Sequence, residues 1–204
     1  MSDTYTTLAK PSPQILFKEK KSKFYGHAYP IDSEDRTKVI IESLRGNYPN
    51  ANHVCWAWKL GLDDNARYRT NDDGEPNNTA GMPIYGQIQS FGITNVLVAV
   101  ARIFGGTKLG VGGLISAYRE SAKITLDASE FITKFLEEQM ELHFQYPHMD
   151  KVMRILRKHQ AHVVSKELHL DCSMVVRVRK NTARQFLSEI QSIFGVSIIH
   201  KPTY

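Results

Sequence analysis

Glycine is crowded into the middle of this chain. Nine of the thirteen glycines lie between Gly74 and Gly113. Because glycine loses more backbone freedom on folding than any other residue, such crowding needs a structural reason. Three reasons are available: positive φ angles, close packing of backbones, or backbone N–H groups laid against a ligand. The sequence therefore directs the search for a site to this stretch.

The second glycine cluster follows a predicted buried strand and leads into a predicted helix. Segment 95–101 is apolar after its first residue, as in a central strand covered on both faces. A loop between such a strand and a helix offers free N–H groups and the helix dipole to anions. The candidate anion-binding or nucleic-acid-binding residues are Arg102, Gly105, Gly106, Lys108, Gly110, Gly112, Gly113 and Arg119.

The spacing of these glycines matches no standard nucleotide-binding motif. Gly105 and Gly110 fit the first half of a P-loop, but Val111 and Gly112 stand where Lys and Ser or Thr are required. No triplet fits G-x-G-x-x-G. Two interpretations stay open: a site for phosphate or a nucleic-acid backbone, and tight turns with close packing of a helix on a sheet.

The first glycine cluster carries three carboxylates in the loop motif Asp72, Asp73, Gly74, Glu75 and Pro76. Paired carboxylates can hold a divalent cation or share acid–base work. Aspartates also accept backbone N–H bonds in tight turns. The sequence favours this structural role, and the catalytic one stays as the alternative.

His53 and Cys55 are predicted to share one face of a strand. Residues two apart on a strand seldom converge as nucleophile and base, so a buried thiol beside a hydrogen-bonded histidine is favoured. Cys55 and Cys172 match neither a disulfide framework nor a metal spacing. We therefore expect no metal, no cofactor and no catalytic residue.

Charge and hydropathy bear on partners and location. The 204 residues carry a net charge of +5, which mildly favours anionic partners such as RNA or the ribosome. The N-terminus lacks a hydrophobic signal core, and no apolar run approaches the roughly 20 residues of a membrane span. The expectation is a soluble cytoplasmic protein without a membrane partner.

The element pattern predicts an α+β protein of two domains, residues 14–128 and 135–204, after a loose tail up to Pro13. The second domain follows the order β-α-β-β-α-β, which is ferredoxin-like. On its open sheet face Arg177 and Arg179 are predicted to form a basic surface. The aromatic side chains by which RNA-recognition motifs stack bases are missing there.

The chain resembles the YigZ/IMPACT family over about residues 15–125, and its second domain looks like the small domain of bacterial members. The matching pieces, in family order, are Lys21-Ser22-Lys23-Phe24, His53-Val54-Cys55-Trp56-Ala57, Asp72-Asp73-Gly74-Glu75-Pro76, Thr79-Ala80-Gly81-x-Pro83, Arg102-x-Phe104-Gly105-Gly106-x-Lys108-Leu109-Gly110-x-Gly112-Gly113-Leu114 and Ala117-Tyr118.

The resemblance implies a first domain like the second domain of ribosomal small-subunit protein five. It implies a second domain like the fifth domain of elongation factor G, and it links eukaryotic members to translational control. The chain departs from the family pattern in Asn77-Asn78 for Ser-Gly, Ile103 for Tyr and Ser116 for Arg.

We therefore expect a non-catalytic regulator of translation that binds RNA or the ribosome, or a protein of the translation apparatus, through the second glycine cluster. Two alternatives stay open. One is a hydrolase or transferase that uses Asp72, Asp73 and Glu75. The other is a protein-interaction module that uses the open sheet face around Arg177 and Arg179.

Overall fold

The computed structural model describes residues 3–62 and 66–201. The chain divides into two compact units, a first unit of residues 5–133 and a second unit of residues 134–204 together with residues 1–4. The limits 14–128 and 135–204 stay predictions for the extents of independently folding domains. Residues 63–65 and 202–204 of those ranges lie outside the described part of the chain.

The first unit is built on a five-stranded antiparallel sheet in the order β2-β3-β6-β4-β5. A two-stranded sheet pairs β1 with β7. The elements from residue 4 to residue 135, of which β1 and β7 include one and two residues of the second unit, are β1 (Thr4–Leu8), β2 (Ile15–Glu19), β3 (Ser22–Pro30), α1 (Glu34–Asn47), β4 (His53–Leu60), β5 (Arg67–Asn71), α2 (Gly81–Ser90), β6 (Val96–Ile103), α3 (Gly110–Asp127) and β7 (Phe131–Phe135).

The central strand β6 is covered on both faces of the sheet. It pairs with β3 on one side and β4 on the other, and every residue from Val96 to Arg102 is buried. Val96, Val98 and Val100 pack in the core with α2 and α3, whereas the residues between them pack with α1. The prediction of a doubly buried central strand is confirmed.

The expectation of a loose tail before residue 14 is wrong. Segment Thr4–Leu8 forms β1, and Leu8 is fully buried in the core of the first unit. The β-branched threonines suit a strand, and hydrogen bonds from Thr94 N to Thr6 O and from Thr7 Oγ1 to Asn95 O hold it in place together with Leu8.

The second unit has the strand order β11-β8-β10-β9, with all neighbours antiparallel. The side chains of Met140, Leu142 and Phe144 alternate into a core that α4 and α5 cover. This is the predicted split β-α-β arrangement of the ferredoxin-like fold. Its elements are β8 (Glu137–Gln145), α4 (Met149–Lys158), β9 (His162–Leu168), β10 (Asp171–Arg179), α5 (Lys180–Gln191) and β11 (Ser197–Lys201).

The protein is thus an α+β protein with two units, as predicted. None of the helices in residues 3–62 and 66–201 combines the length and the apolar character that a membrane span requires.

Candidate functional site

The strand register of the first unit brings distant residues together at one end of the sheet. His53 lies opposite Arg102 across the β4–β6 pair, and Phe24 lies opposite Arg102 across the β3–β6 pair. The loops that follow β5 and β6 meet at the same end and enclose a cavity of about 480 Å³. Its polar lining residues are Asn52, His53, Glu75, Arg102 and Lys108.

The floor of the cavity is a buried ion pair. The Arg102 and Glu75 side chains are 6% and 4% exposed, and Arg102 Nη1 lies 2.5 Å from Glu75 Oε1. The Tyr118 hydroxyl donates a second bond to the same oxygen at 2.9 Å, and Arg102 Nη2 donates to Ser22 Oγ at 3.5 Å. Buried charges persist when they are paired in this way. Arg102 Nε has no partner among the described residues.

The thiol of Cys55 belongs to the support of this pair. Cys55 Sγ lies 3.3 Å from the Tyr118 hydroxyl oxygen and 3.0 Å from the Asp72 carbonyl oxygen. Burial raises the pKa of the Cys55 thiol and the pKa of the Tyr118 hydroxyl, so both groups keep their protons at neutral pH. The predicted buried thiol is confirmed, because Cys55 is fully buried.

The loop of residues 72–80, named here the acidic loop, uses its two aspartates for its own structure. Asp72 accepts N–H bonds from Asn78, Ala80 and Gly81 at 2.8 to 2.9 Å, and so caps the N-terminus of α2 from outside the helix. Asp73 accepts the Val54 N–H at 2.6 Å and a bond from an arginine side chain of α1.

His53 is the site residue that the sequence interpretation missed. Its Nδ1 lies 2.7 Å from the Asp73 carbonyl oxygen and so donates to it. Nε2 lies 3.9 Å from Glu75 Oε1, and the ring lines the cavity. The expectation of a hydrogen-bonded histidine is right for one nitrogen. The strand register, which the sequence does not display, turns the other toward the cavity.

The loop of residues 104–109, named here the amide loop, begins with two anchored N–H groups. Phe104 N donates to Asn52 Oδ1 at 2.8 Å, and Gly105 N donates to Ser22 Oγ at 3.2 Å. A Cβ on Gly105 would overlap the Lys21 carbonyl group, so this glycine serves close packing. Its N–H group is therefore not available to a ligand.

The remaining backbone N–H groups of the amide loop are not hydrogen-bonded within the described part of the chain. Those of residues 106–109 have no acceptor within the described part of the chain, and α3 begins at Gly110 without a side-chain cap. Gly106 is exposed and has a φ of +87°, which turns the backbone toward the helix. Lys108 is exposed and has no ion-pair partner among the described residues. Predicted site residues Gly110, Gly112 and Gly113 lie in the first turn of α3.

Three predicted arginines lie elsewhere. Arg119 lies on the exposed side of α3 and does not line the cavity. On β10 of the second unit, Arg177 Nε donates to Gln139 Oε1 at 3.2 Å, and the Arg179 guanidinium lies 3.7 Å from the centroid of the Phe135 ring. The prediction of a basic face there needs correction. Strand β8 places Glu137 opposite Arg179 and Glu141 opposite Val175, so the face has mixed charge.

No group of three or more His, Cys, Asp or Glu side chains in residues 3–62 and 66–201 is arranged to hold a metal ion. The cavity instead combines an arginine and a lysine with unpaired N–H groups just before the start of α3. Such an arrangement suits a negatively charged ligand.

Comparisons with known proteins agree with the motifs. The family model described as the Impact N-terminal domain matches residues 20–126. An IMPACT family member of Haemophilus influenzae is 27% identical over 183 residues, which are 88% of this chain and 89% of that protein. The IMPACT family member YvyE of Bacillus subtilis is 33% identical over 169 residues, 83% of this chain and 76% of that one.

A solved structure described as a crystal structure of a hypothetical protein aligns over the full length of both chains. Its TM-score is 0.76 at 23% identity, which shows a shared fold for the whole chain.

Proposed function

The chain belongs to the IMPACT family, and from that premise we propose that it regulates translation by binding RNA or the ribosome, without catalysing a reaction. The family resemblance implies a link to translational control, as in eukaryotic members. We therefore propose that translation is the process that this protein regulates. The binding site we propose is the cavity between the acidic loop and the amide loop.

One observation carries the proposal. The N–H groups of residues 106–109 have no acceptor in the described residues, and Lys108 and Leu109 line the cavity together with a buried arginine whose Nε is also unpartnered. Gly106, Thr107 and Lys108 are exposed, so their N–H groups are accessible to a ligand from solvent. A phosphate oxygen is the acceptor that fits, because it is negatively charged and can take several N–H bonds at a helix N-terminus.

The charge balance of the cavity supports an anionic ligand. The carboxylate of Glu75 is engaged by Arg102 and Tyr118, so the opposite charges of this pair largely offset each other and add little net repulsion or attraction. Lys108 remains exposed at the rim, and the chain carries a net charge of +5. Phosphate contacts of this kind release counterions, so binding should weaken steeply as salt increases.

The placement of the carboxylates supports binding more than catalysis. Asp72 and Asp73 are bonded to backbone N–H groups of the loop and of the neighbouring strand, and Glu75 is held in an ion pair. A general acid or base needs a free position near the substrate. These three groups do not offer one, so the hydrolase or transferase alternative gains no support.

The test is co-sedimentation with ribosomes and with RNA at low salt. Lys108→Glu should reduce the bound fraction at least tenfold relative to the unmodified protein. Lys38→Glu is the matched control, because it makes the same charge change at an exposed lysine of α1 that pairs with Asp35. A folded Lys108→Glu protein that sediments like the Lys38→Glu control would contradict the proposal.

Arg102 needs a different variant because it is buried. Arg102→Glu would place two carboxylates together in the core and unfold the site. The double variant Arg102→Met with Glu75→Gln removes both charges at once and leaves no unpaired ion. We expect it to stay folded and to bind RNA and ribosomes more weakly than the unmodified protein.

A further inference from the structure

The cavity has a cationic end and an apolar wall. The cationic end is formed by Arg102, Lys108 and the unpaired N–H groups of Lys108 and Leu109. The wall is formed by Pro76, Phe104, Leu109, Val111 and Leu114. A phosphate alone would use the first part and leave the second bare. The ligand that uses both carries a flat or apolar body next to its negative charge.

Two side chains at this wall are exposed although they are apolar. Phe104 is 42% exposed and Val111 is 59% exposed. Phe104 is nevertheless held in position, since its N–H group bonds to Asn52 and its ring lies 5.6 Å from the Arg102 guanidinium. A fixed, accessible aromatic ring beside a cation is a platform on which a nucleobase can stack.

The size of the cavity limits the ligand further. A volume of about 480 Å³ lies within the range of small-molecule sites and suits one small ligand. Double-stranded RNA is recognised along its backbone and grooves with its bases still stacked inside the helix. A base can enter this cavity only when it is unstacked, as in a single strand.

A lysine turn lies directly against the amide loop. The two-residue turn between β2 and β3 consists of Lys20 and Lys21, with φ angles of +43° and +70°. The backbone of Lys21 packs on Gly105 so closely that a Cβ there would overlap it. Both lysines are exposed and have no ion-pair partner among the described residues. A nucleic-acid strand that leaves the cavity on this side meets the positive charges of Lys20 and Lys21.

We propose that the cavity binds one unstacked nucleotide of a single-stranded RNA, with its base on Phe104 and its phosphate at the start of α3. The neighbouring phosphates of the strand run across the Lys20–Lys21 turn. This inference rests on the proposed function, because it names the form of RNA that the same site accepts. A free nucleotide shares the chemistry of the cavity and does not need the lysine turn.

The experiment measures binding of a labelled RNA hexamer by fluorescence anisotropy, with its duplex form, a nucleoside monophosphate and inorganic phosphate as further ligands. Phe104→Leu keeps apolar bulk and removes the stacking ring. It should weaken binding of the single strand and of the nucleoside monophosphate by about tenfold. Binding of inorganic phosphate should not change. Phe194→Leu is the control, because Phe194 is an exposed phenylalanine of the second unit.

The second variant pair separates RNA from a free nucleotide. Lys20→Glu with Lys21→Glu should weaken the single strand and lower the slope of log affinity against log salt by about 1.4, at ~0.7 per lost phosphate contact. Binding of the nucleoside monophosphate should stay the same. Lys10→Glu with Lys38→Glu is the matched control, because both lysines are exposed and already paired with acids.

Three results would overturn the inference. The first is a folded Phe104→Leu protein, checked by circular dichroism, that binds the single strand like the Phe194→Leu control. The second is a duplex that binds as tightly as the single strand. The third is a protein with Lys20→Glu and Lys21→Glu that binds the single strand as tightly as the unmodified protein does. This result would identify a free nucleotide as the ligand. If Lys108→Glu abolishes RNA binding in the same assay, the proposed function stands even when this inference fails.

Discussion

The acidic loop and the amide loop differ in how their polar groups are satisfied. Both follow a strand, both contain glycine and both line the same cavity. In the acidic loop, Asp72 and Asp73 are bonded to backbone N–H groups. In the amide loop, the N–H groups of residues 106–109 have no acceptor among the described residues. Glycine content is therefore a poor guide to function, and the state of each N–H group is a better one.

This difference assigns the two loops different roles. A loop whose polar groups bond to one another stabilises the fold, because breaking such bonds leaves buried groups unpaired. A loop whose donors face solvent adds little stability and keeps its binding capacity for a ligand. Substitutions in the acidic loop should therefore change stability, whereas substitutions in the amide loop should change binding.

The largest effect is expected at Glu75. Glu75→Ala leaves the Arg102 charge buried without its partner, which should lower the free energy of unfolding by about 3–5 kcal/mol. Urea denaturation measures this. The control is Glu130→Ala, which removes an exposed ion pair with Lys10 and should cost about 1 kcal/mol or less. Equal losses in the two variants would show that the buried Arg102–Glu75 pair contributes no more to stability than an exposed ion pair.

A smaller loss is expected at Asp72. Asp72→Ala removes the carboxylate that accepts three backbone N–H bonds at the start of α2. The expected cost is about 2 kcal/mol, in the range of a lost helix cap with charged hydrogen bonds. Thermal denaturation of both variants shows whether Asp72→Ala is less destabilising than Glu75→Ala. A melting temperature like that of the unmodified protein would mean that the loop holds its shape without this side chain.

The buried thiol of Cys55, which lies under the acidic loop, should make the free energy of unfolding depend on pH. Burial raises the pKa of Cys55 above its ordinary value of 9.0, so the folded protein keeps the thiol proton longer than the unfolded chain. The stabilisation is complete below pH 9.0 and is lost as pH rises above it, by about 1.4 kcal/mol per pH unit for one group. Urea denaturation from about pH 8 to about pH 10.5 measures the slope.

Cys55→Ala supplies the comparison for that slope. The variant has lost one titrating group, so its unfolding free energy should fall less steeply above pH 9.0, whatever its stability at neutral pH. Identical slopes for the unmodified protein and Cys55→Ala would show that the Cys55 thiol does not contribute to this pH dependence.

The smallest effect on stability is expected in the amide loop. Lys108 is exposed and unpaired in the described residues, so Lys108→Ala should change the free energy of unfolding by no more than about 0.5 kcal/mol. A loss as large as that of Asp72→Ala would erase the distinction between the two loops. Urea denaturation under the conditions used for Glu75→Ala puts the values on one scale.

Patterns with local causes were predictable from the sequence. The run of apolar residues in segment 95–101 predicted a doubly covered strand, and β6 is one. The alternation around Met140 and the order of elements after it predicted the ferredoxin-like unit. In both cases, burial on known faces follows from the spacing of apolar residues alone.

The floor of the cavity was not predictable in the same way. The sequence predicts Arg102 as an anion-binding residue and does not reveal that it is buried in an ion pair with Glu75, which lies 27 residues earlier in the chain. His53 was expected to be satisfied internally, yet the register of β4 with β6 turns it toward the cavity. Contacts between distant segments depend on strand register, and hydrophobic spacing does not encode which polar side chains will meet.

Nuclear magnetic resonance can show whether the backbone N–H groups of the amide loop receive an anion. A short single-stranded RNA is titrated into protein labelled with ¹⁵N, and each amide signal is followed. The signals of Lys108 and Leu109, which line the cavity, should shift in a saturable way, while those of Asn78 and Gly81, already bonded to Asp72, stay in place. Saturable shifts confined to other regions, with the Lys108 and Leu109 signals unchanged, would show that the amide loop does not bind the anion.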